Sequence, residues 1–264
     1  MPYSLKNRNV LVTGGSRGLG ALICEKFAAE GCNVIVNYVS AEDRAKEVVA
    51  KCEKAGVKAF AVKGDAGSPE DNARLVKETV EKLGGIDIII ANAGWTRFSD
   101  FKDLNALSTE EWNKARLADQ PELLRMVSCW ACNVMCHLQL MQAAGPIFNS
   151  NPDGGVYLIT SSIAGRTTAG SSMAYSVTKA AGLQLMRCIA TTQGPKTRIN
   201  SILPGLLLTE WGMQYSKERQ EAINNMSALK HETYLDDCAD AFISAAKNSS
   251  MTGQQITVDA GIAI

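Results

Sequence analysis

The stretch Asn9-Val-Leu-Val-Thr13-Gly14-Gly15-Ser16-Arg17-Gly18-Leu19-Gly20 decides the reading of the fold. Val10 to Thr13 are β-formers, four glycines follow at 14, 15, 18 and 20, and a helical pattern runs from Ala21 to Ala29 until Gly31 stops it. Strand, glycine turn and helix in that order are the context in which a glycine motif becomes a phosphate-binding hypothesis. Glycine lets the backbone approach a pyrophosphate, and the free N–H groups of a helix N-terminus favour its negative charge. Gly14, Ser16, Arg17, Gly18, Leu19 and Gly20 are therefore the first candidate cofactor-binding residues.

Outward from this stretch, short apolar runs alternate with helical patterns. Asn33 to Asn37 reads as a second strand, Ala41 to Ala55 as a helix, and Val57 to Val62 as a third strand ending at Asp65-Ala66. A helix follows over Pro69–Leu83, then a buried strand Ile86–Ile90 running into Asn92-Ala93-Gly94. Later come strand Val156–Thr160, helix Ser172–Thr192, strand Arg198–Leu203 and Pro204-Gly205. Such alternation predicts an α/β fold, one doubly wound parallel sheet with helices on both faces. Ligands bind such sheets beyond the carboxyl ends of the strands. The glycine loop, Asp65, Asn92–Gly94, Ser162 and Pro204-Gly205 each follow a strand end, so one shared site is expected there.

The second strand's end bears on cofactor choice. An acid there would hold the adenosine ribose and repel a 2′-phosphate. The chain instead reads Asn37-Tyr38-Val39-Ser40, with no acid before Glu42, and Arg17 supplies positive charge nearby. NADP(H) is the expected dinucleotide, with Asn37, Tyr38 and Ser40 beside its adenosine end.

The chemistry is expected in Ser161-Ser162 and in Tyr175-Ser-Val-Thr-Lys179. A four-residue spacing puts Tyr175 and Lys179 on one helical face. A phenol titrates near 10 in water, and a neighbouring ammonium favours its ionised form. That makes Tyr175 a candidate general acid/base. Ser162, on the loop before the helix, is placed to donate to a substrate oxygen.

Composition narrows the alternatives. With 264 residues and 46% hydrophobic content, the chain can bury a large core as one domain. Basic and acidic residues balance at 27 each, with no basic run of the kind that nucleic-acid or membrane-surface binders carry. No apolar run approaches the roughly 20 residues of a membrane span. The N-terminal residues lack a signal-peptide core, so a soluble cytoplasmic protein is expected. Eight cysteines then read as reduced thiols. Cys129, Cys132 and Cys136, with His137, invite a metal reading, but a second Cys/His pair is missing from the sequence. Buried helical thiols are the better account, and no metal is expected.

Together, Thr13-Gly14-x-x-x-Gly18-x-Gly20, Asp65, Asn92-Ala93-Gly94, Asn133, Ser162, Tyr175-x-x-x-Lys179, Pro204-Gly205 and Thr209 make the chain resemble the short-chain dehydrogenase/reductase family. The resemblance spans nearly the whole sequence, and Ser162 precedes Tyr175 by thirteen positions, an interval typical of that family. It implies a Rossmann-type sheet of about seven strands and hydride transfer between a nicotinamide and a carbonyl or alcohol carbon. It also implies roles. Tyr175 transfers the proton, Lys179 lowers its pKa and holds the nicotinamide ribose, Ser162 polarises the carbonyl, and Asn133 supports a water relay to Lys179. Asp65 and Ala66 would lie by the adenine, Asn92–Gly94 by the cofactor's middle, and Pro204, Gly205, Leu207 and Thr209 around the nicotinamide. Small carbonyl or alcohol substrates and a homodimeric or homotetrameric assembly are the implied partners.

One departure is length. Gly94 and Asn133 are separated by 38 residues, and the excess over the family pattern falls near Ala115–Ser128, where Pro121 interrupts any continuous helix. That segment reads as an insertion. Residues 206–232 resemble the family's substrate lid, rich here in Leu206, Leu207, Leu208, Trp211, Met213, Tyr215 and Met226. With Trp95, Phe98 and Met173 they suggest a largely apolar ligand. The leading expectation is NADPH-dependent reduction of a ketone or 3-oxoacyl-like compound. An epimerase or dehydratase on the same fold, or a non-catalytic NADP-binding sensor, are the alternatives. Arg166 and His231 are expected at the surface.

Overall fold

The computed structural model describes residues 3–108 and 129–264. The insertion expected near 115–128 lies outside the described residues. Seven parallel strands form one sheet: β1 (Asn9–Val12), β2 (Asn33–Tyr38), β3 (Ala59–Lys63), β4 (Ile88–Ala91), β5 (Gly155–Thr160), β6 (Thr197–Pro204) and β7 (Gln255–Val258). Their order is β3-β2-β1-β4-β5-β6-β7, and every ladder is parallel.

The helices are α1 (Gly18–Ala29), α2 (Glu42–Glu53), α3 (Pro69–Leu83), α4 (Cys136–Ser150), α5 (Met173–Gln193), α6 (Lys217–Met226) and α7 (Leu235–Lys247). A π-helical turn, Ala131–Met135, leads into α4. Strand alternation divides the core into two layers. Val10, Val12, Val34, Val36, Ile88, Ile90 and Leu158 face α1, α2 and α7, meeting Phe27, Val48 and Phe242. Leu11, Ile35, Ile89, Tyr157 and Ile159 face α3, α4 and α5, meeting Leu75, Leu140, Phe148 and Met186. Both faces of each central strand are thus apolar, which explains why these strands read as continuous hydrophobic runs.

The chain winds outward from β1 through β2 to β3, then returns to place β4 on the other side of β1. At this reversal the loops after β1 and β4 diverge and leave a crevice. Asn92 closes its floor. Its backbone N–H and that of Ala93 donate to Thr13 Oγ1, each at 3.0 Å, and its Nδ2 donates to the carbonyls of Thr13 and Gly14. Thr160 Oγ1 donates back to Asn92 Oδ1 at 3.1 Å. One asparagine therefore ties the ends of β1, β4 and β5 together.

Element bounds differ from expectation by a residue or two, except that α1 begins at Gly18 rather than Ala21 and that residues 217–226 form a helix. Among the described residues, no helix is long and apolar enough to cross a membrane. None of the eight cysteines forms a disulfide; seven are buried, and Cys188 is exposed.

Candidate active site

A cavity of about 880 Å³ occupies the crevice. Its floor is the glycine loop. Gly14 and Gly18 hold φ of +62° and +54°, the left-handed region that favours glycine. A Cβ at residue 20 would overlap the Gly14 carbonyl oxygen, and one at residue 18 would lie 3.3 Å from Thr209 Cγ2. Helix α1 starts at this loop with Arg17 as N-cap residue and no side-chain cap, so the helix's first N–H groups have no side-chain acceptor. Bare N–H groups, close backbone and a helix dipole pointing at one spot fit a dinucleotide pyrophosphate.

Ser16, Arg17, Leu19, Tyr38, Ser40, Asp65 and Ala66 line the cavity on one side of this loop, where an adenosine would lie. Asn92, Ala93 and Gly94 line its middle, and Pro204, Gly205, Leu207 and Thr209 its other end. A buried hydroxyl without a protein partner, Ser161 Oγ, also belongs to this wall, leaving a polar position for a ligand. The residues present thus fit a dinucleotide along the crevice.

Ser162, Tyr175 and Lys179 stand together at the inner end. Ser172 caps α5 by accepting from Tyr175 N–H at 3.1 Å, which fixes the first turn on which the phenol sits. The Ser162 side chain is near enough to the Tyr175 hydroxyl to pull the phenol's pKa down. Ser162 Oγ also accepts from Ala164 N–H at 3.1 Å, within the short 3-10 turn Ile163–Gly165. One turn further along α5, Lys179 is 4% exposed and donates from Nζ to the Thr160 carbonyl at 2.8 Å. Its Nζ lies 5.4 Å from the centre of the Tyr175 ring.

Electrostatics correct one expectation. Lys179 was expected to lower the phenol's pKa. Burial instead pushes the Tyr175 phenol well above its ordinary range, opposed by the neighbouring Ser162 side chain. Burial also lowers the Lys179 ammonium. In the protein alone, desolvation dominates both groups and favours their neutral forms.

Four expected site residues stand off the cavity. Asn37 is fully buried: its Oδ1 accepts from Gly14 N–H at 3.1 Å, and its Nδ2 donates to the Gly64 carbonyl at 2.9 Å. It shapes the glycine loop from beneath. Asn133 lies in the π-helical turn, 1% exposed. Its Nδ2 donates to the Trp95 carbonyl at 2.9 Å and to Thr178 Oγ1 at 3.1 Å, and its Oδ1 accepts from Trp95 N–H at 3.0 Å. The amide is thus fully engaged in holding the loop after β4. Met173 does not reach the cavity, and Met213 is 62% exposed, because the 3-10 turn Gly212–Gln214 points it outward.

Apolar and aromatic side chains make up much of the cavity wall around the phenol. Trp211 lies against Tyr175 with ring centres 5.6 Å apart, and Tyr215 meets Phe98 edge-on at 5.0 Å. Trp95 completes this wall. Several lining residues had no local sequence signal. Ile262 reaches the cavity because Asp259 caps the N–H groups of Gly261 and Ala263, turning the C-terminal residues back against the lid. Arg219 and Ile223 arrive on α6, and Glu210 on the loop before it. Arg166 is exposed as expected. His231 is half-buried, stacked on Tyr234 at 4.6 Å. Cys129, Cys132 and Cys136 are buried, and no metal-like cluster of His, Cys, Asp or Glu exists among the described residues.

Comparison with known proteins agrees with this geometry. The family model for short chain dehydrogenases matches residues 8–220. An L-rhamnose 1-dehydrogenase (NADP(+)) from Thermoplasma acidophilum is 29% identical, with 98% of this chain and 97% of that protein covered. The 3-oxoacyl-(acyl-carrier-protein) reductase FabG of Staphylococcus epidermidis is 27% identical over 97% of this chain and 99% of its own. A short chain dehydrogenase from Burkholderia cenocepacia, solved in complex with NADP, superposes with a TM-score of 0.86 at 27% identity, covering 99% of this chain and 100% of that one. The chain belongs to the short-chain dehydrogenase/reductase family.

Proposed function

We propose that this protein reduces a largely apolar ketone or 3-oxoacyl-like substrate to an alcohol at the expense of NADPH, with Tyr175 as general acid. At the coarser level it is an NADP(H)-dependent oxidoreductase of carbonyl and alcohol groups. The observation that carries the finer reading is the meeting of Ser162, Tyr175 and Lys179 with the glycine loop around one cavity. When bound, the cofactor supplies the hydride. The Ser162 hydroxyl, which lines the cavity beside the phenol, would donate to the substrate oxygen as negative charge develops there. Tyr175, kept protonated by burial, holds the proton that the new alkoxide requires. Lys179 and the Thr160 carbonyl fix the base of this arrangement.

Substrate class rests on the outer wall. Trp95, Trp211, Tyr215, Ile223 and Ile262 present broad apolar surfaces, which suit an acyl chain better than the hydroxyls of a sugar. NADPH consumption across a panel of 3-oxoacyl thioesters, ketones and sugars tests this, with Tyr175→Phe run beside the parent. Equal rates for the two would remove Tyr175 as the acid, and a preference for sugars would remove the apolar reading. The reading includes a homodimer or homotetramer, open to sedimentation measurement. It also includes a cytoplasmic location, consistent with eight cysteines outside any disulfide and open to fractionation.

A further inference from the structure

Glu210 joins two arginines across the mouth of the crevice. It sits on the lid directly after Thr209, and its Oε2 meets Arg17 Nη1 at 2.9 Å. Its Oε1 pairs with Arg44 Nη1, on α2. Arg17 belongs to the glycine loop, and Arg44 lies four residues beyond Ser40, which lines the adenosine end. The three groups come from three separate elements and are each more than half exposed. Both guanidiniums hold the Glu210 carboxyl below the usual carboxylate range.

Two guanidiniums converging on one anion at this end of a dinucleotide crevice make a phosphate-sized site. We infer that Arg44 joins Arg17 in binding the cofactor's 2′-phosphate, and that Glu210 is a competing anion which occupies both guanidiniums in its absence. Glu210 then sets cofactor discrimination by opposition. NADPH must displace or share against this carboxylate, whereas NADH, lacking the 2′-phosphate, does not contest it. Because Glu210 is part of the lid, lid position and 2′-phosphate occupancy are linked through the same two side chains. The inference rests on NADP(H) use alone and is independent of the substrate.

The test is a set of dissociation constants for NADPH and NADH, read from quenching of the tryptophans that line the cavity. Glu210→Gln keeps shape and removes the charge. Its NADPH constant is expected to tighten by about five- to tenfold, since two exposed ion pairs are relieved, with NADH changed by less than about twofold. Arg44→Gln is expected to weaken NADPH about tenfold and leave NADH unchanged. In the double variant the Glu210→Gln gain should shrink, because one of the two contested guanidiniums is gone. The effects should fade at high salt. An unchanged NADPH constant in Glu210→Gln, or one that moves in step with NADH, overturns the competition. Arg44→Gln shifting both cofactors equally overturns its phosphate role. Failure of every carbonyl substrate would leave these constants readable.

Discussion

Replacing Asn133 by alanine separates a structural use of that side chain from a catalytic one. The amide makes three hydrogen bonds, two to the backbone of Trp95 and one to Thr178 Oγ1, in a position 1% exposed. Each buried bond contributes about 1 kcal/mol net, and Trp95 loses partners for both its N–H and its carbonyl. Asn133→Ala should therefore cost about 3 kcal/mol, or roughly 6–10 °C in Tm. The loop it releases includes Gly94, where a Cβ would stand 3.7 Å from Lys179 Nζ. A displacement of the order of 1 Å there would lower kcat by about a hundredfold. Urea and thermal unfolding give the first quantity and NADPH-dependent turnover the second. A variant as stable as the parent would refute the view that this amide staples the loop. A stable variant with unchanged kcat would also remove Asn133 from the site altogether.

Other outcomes follow from the same geometry. Tyr175→Phe should lower kcat by about 10³-fold while the NADPH dissociation constant stays within about twofold, measured by single-turnover kinetics and fluorescence. Gly20→Ala places a methyl on the Gly14 carbonyl oxygen and beside Asn92 Nδ2, so it should cost about 2 kcal/mol and abolish measurable cofactor binding, checked by calorimetry. His137 is buried with Nδ1 near Tyr157 Oη and Cys136 Sγ, and its pKa falls to about 3 because burial disfavours the imidazolium. Its folded value lies below its unfolded 6.5, so the unfolded state binds the proton first. Stability is full above about pH 6.5 and lost progressively as pH falls toward 3, by about 1.4 kcal/mol per unit. His137→Gln should flatten that slope by one proton in urea melts taken at pH 6.5, 5.5 and 4.5.

How far the sequence spoke depended on whether its signals were local. Helix α3 was read to the residue because Ser68 caps it, Pro69 opens it and Gly84 closes it at φ +85°. Helix α1 was placed three residues late, since its first turn is built from the glycines that the ligand site requires. Helix α6 was missed as a helix because no residue in it is fully buried, so no apolar stripe marks it. In the site, residues carried by strand ends were legible through the fold rule alone. Asn37 is expected at the ligand from its place at the end of strand two, and Asn133 is expected in a water relay to Lys179 from the family resemblance. Both spend their amides on the backbone beneath it, a choice that only three-dimensional neighbours reveal. Ile262 and Glu210 reach the cavity across separations that no sequence period encodes.

The desolvated pair of Tyr175 and Lys179 bears on the direction of catalysis. A phenol raised by burial is a reluctant base, yet it is present almost wholly as the acid at neutral pH. Reduction needs a donor when negative charge appears on the substrate oxygen, and it uses that resting state directly. Oxidation would first require the phenol to ionise against its surroundings, beside a lysine whose own charge is disfavoured. The reductive rate should accordingly hold level through neutral pH and decline only at alkaline pH, as the proton is lost. The oxidative rate should climb across the same range. Parallel pH profiles in the two directions, with Lys179→Met as comparison, decide the matter. A reductive rate that already falls between pH 6 and 8 would mean that a group other than the buried phenol delivers the proton.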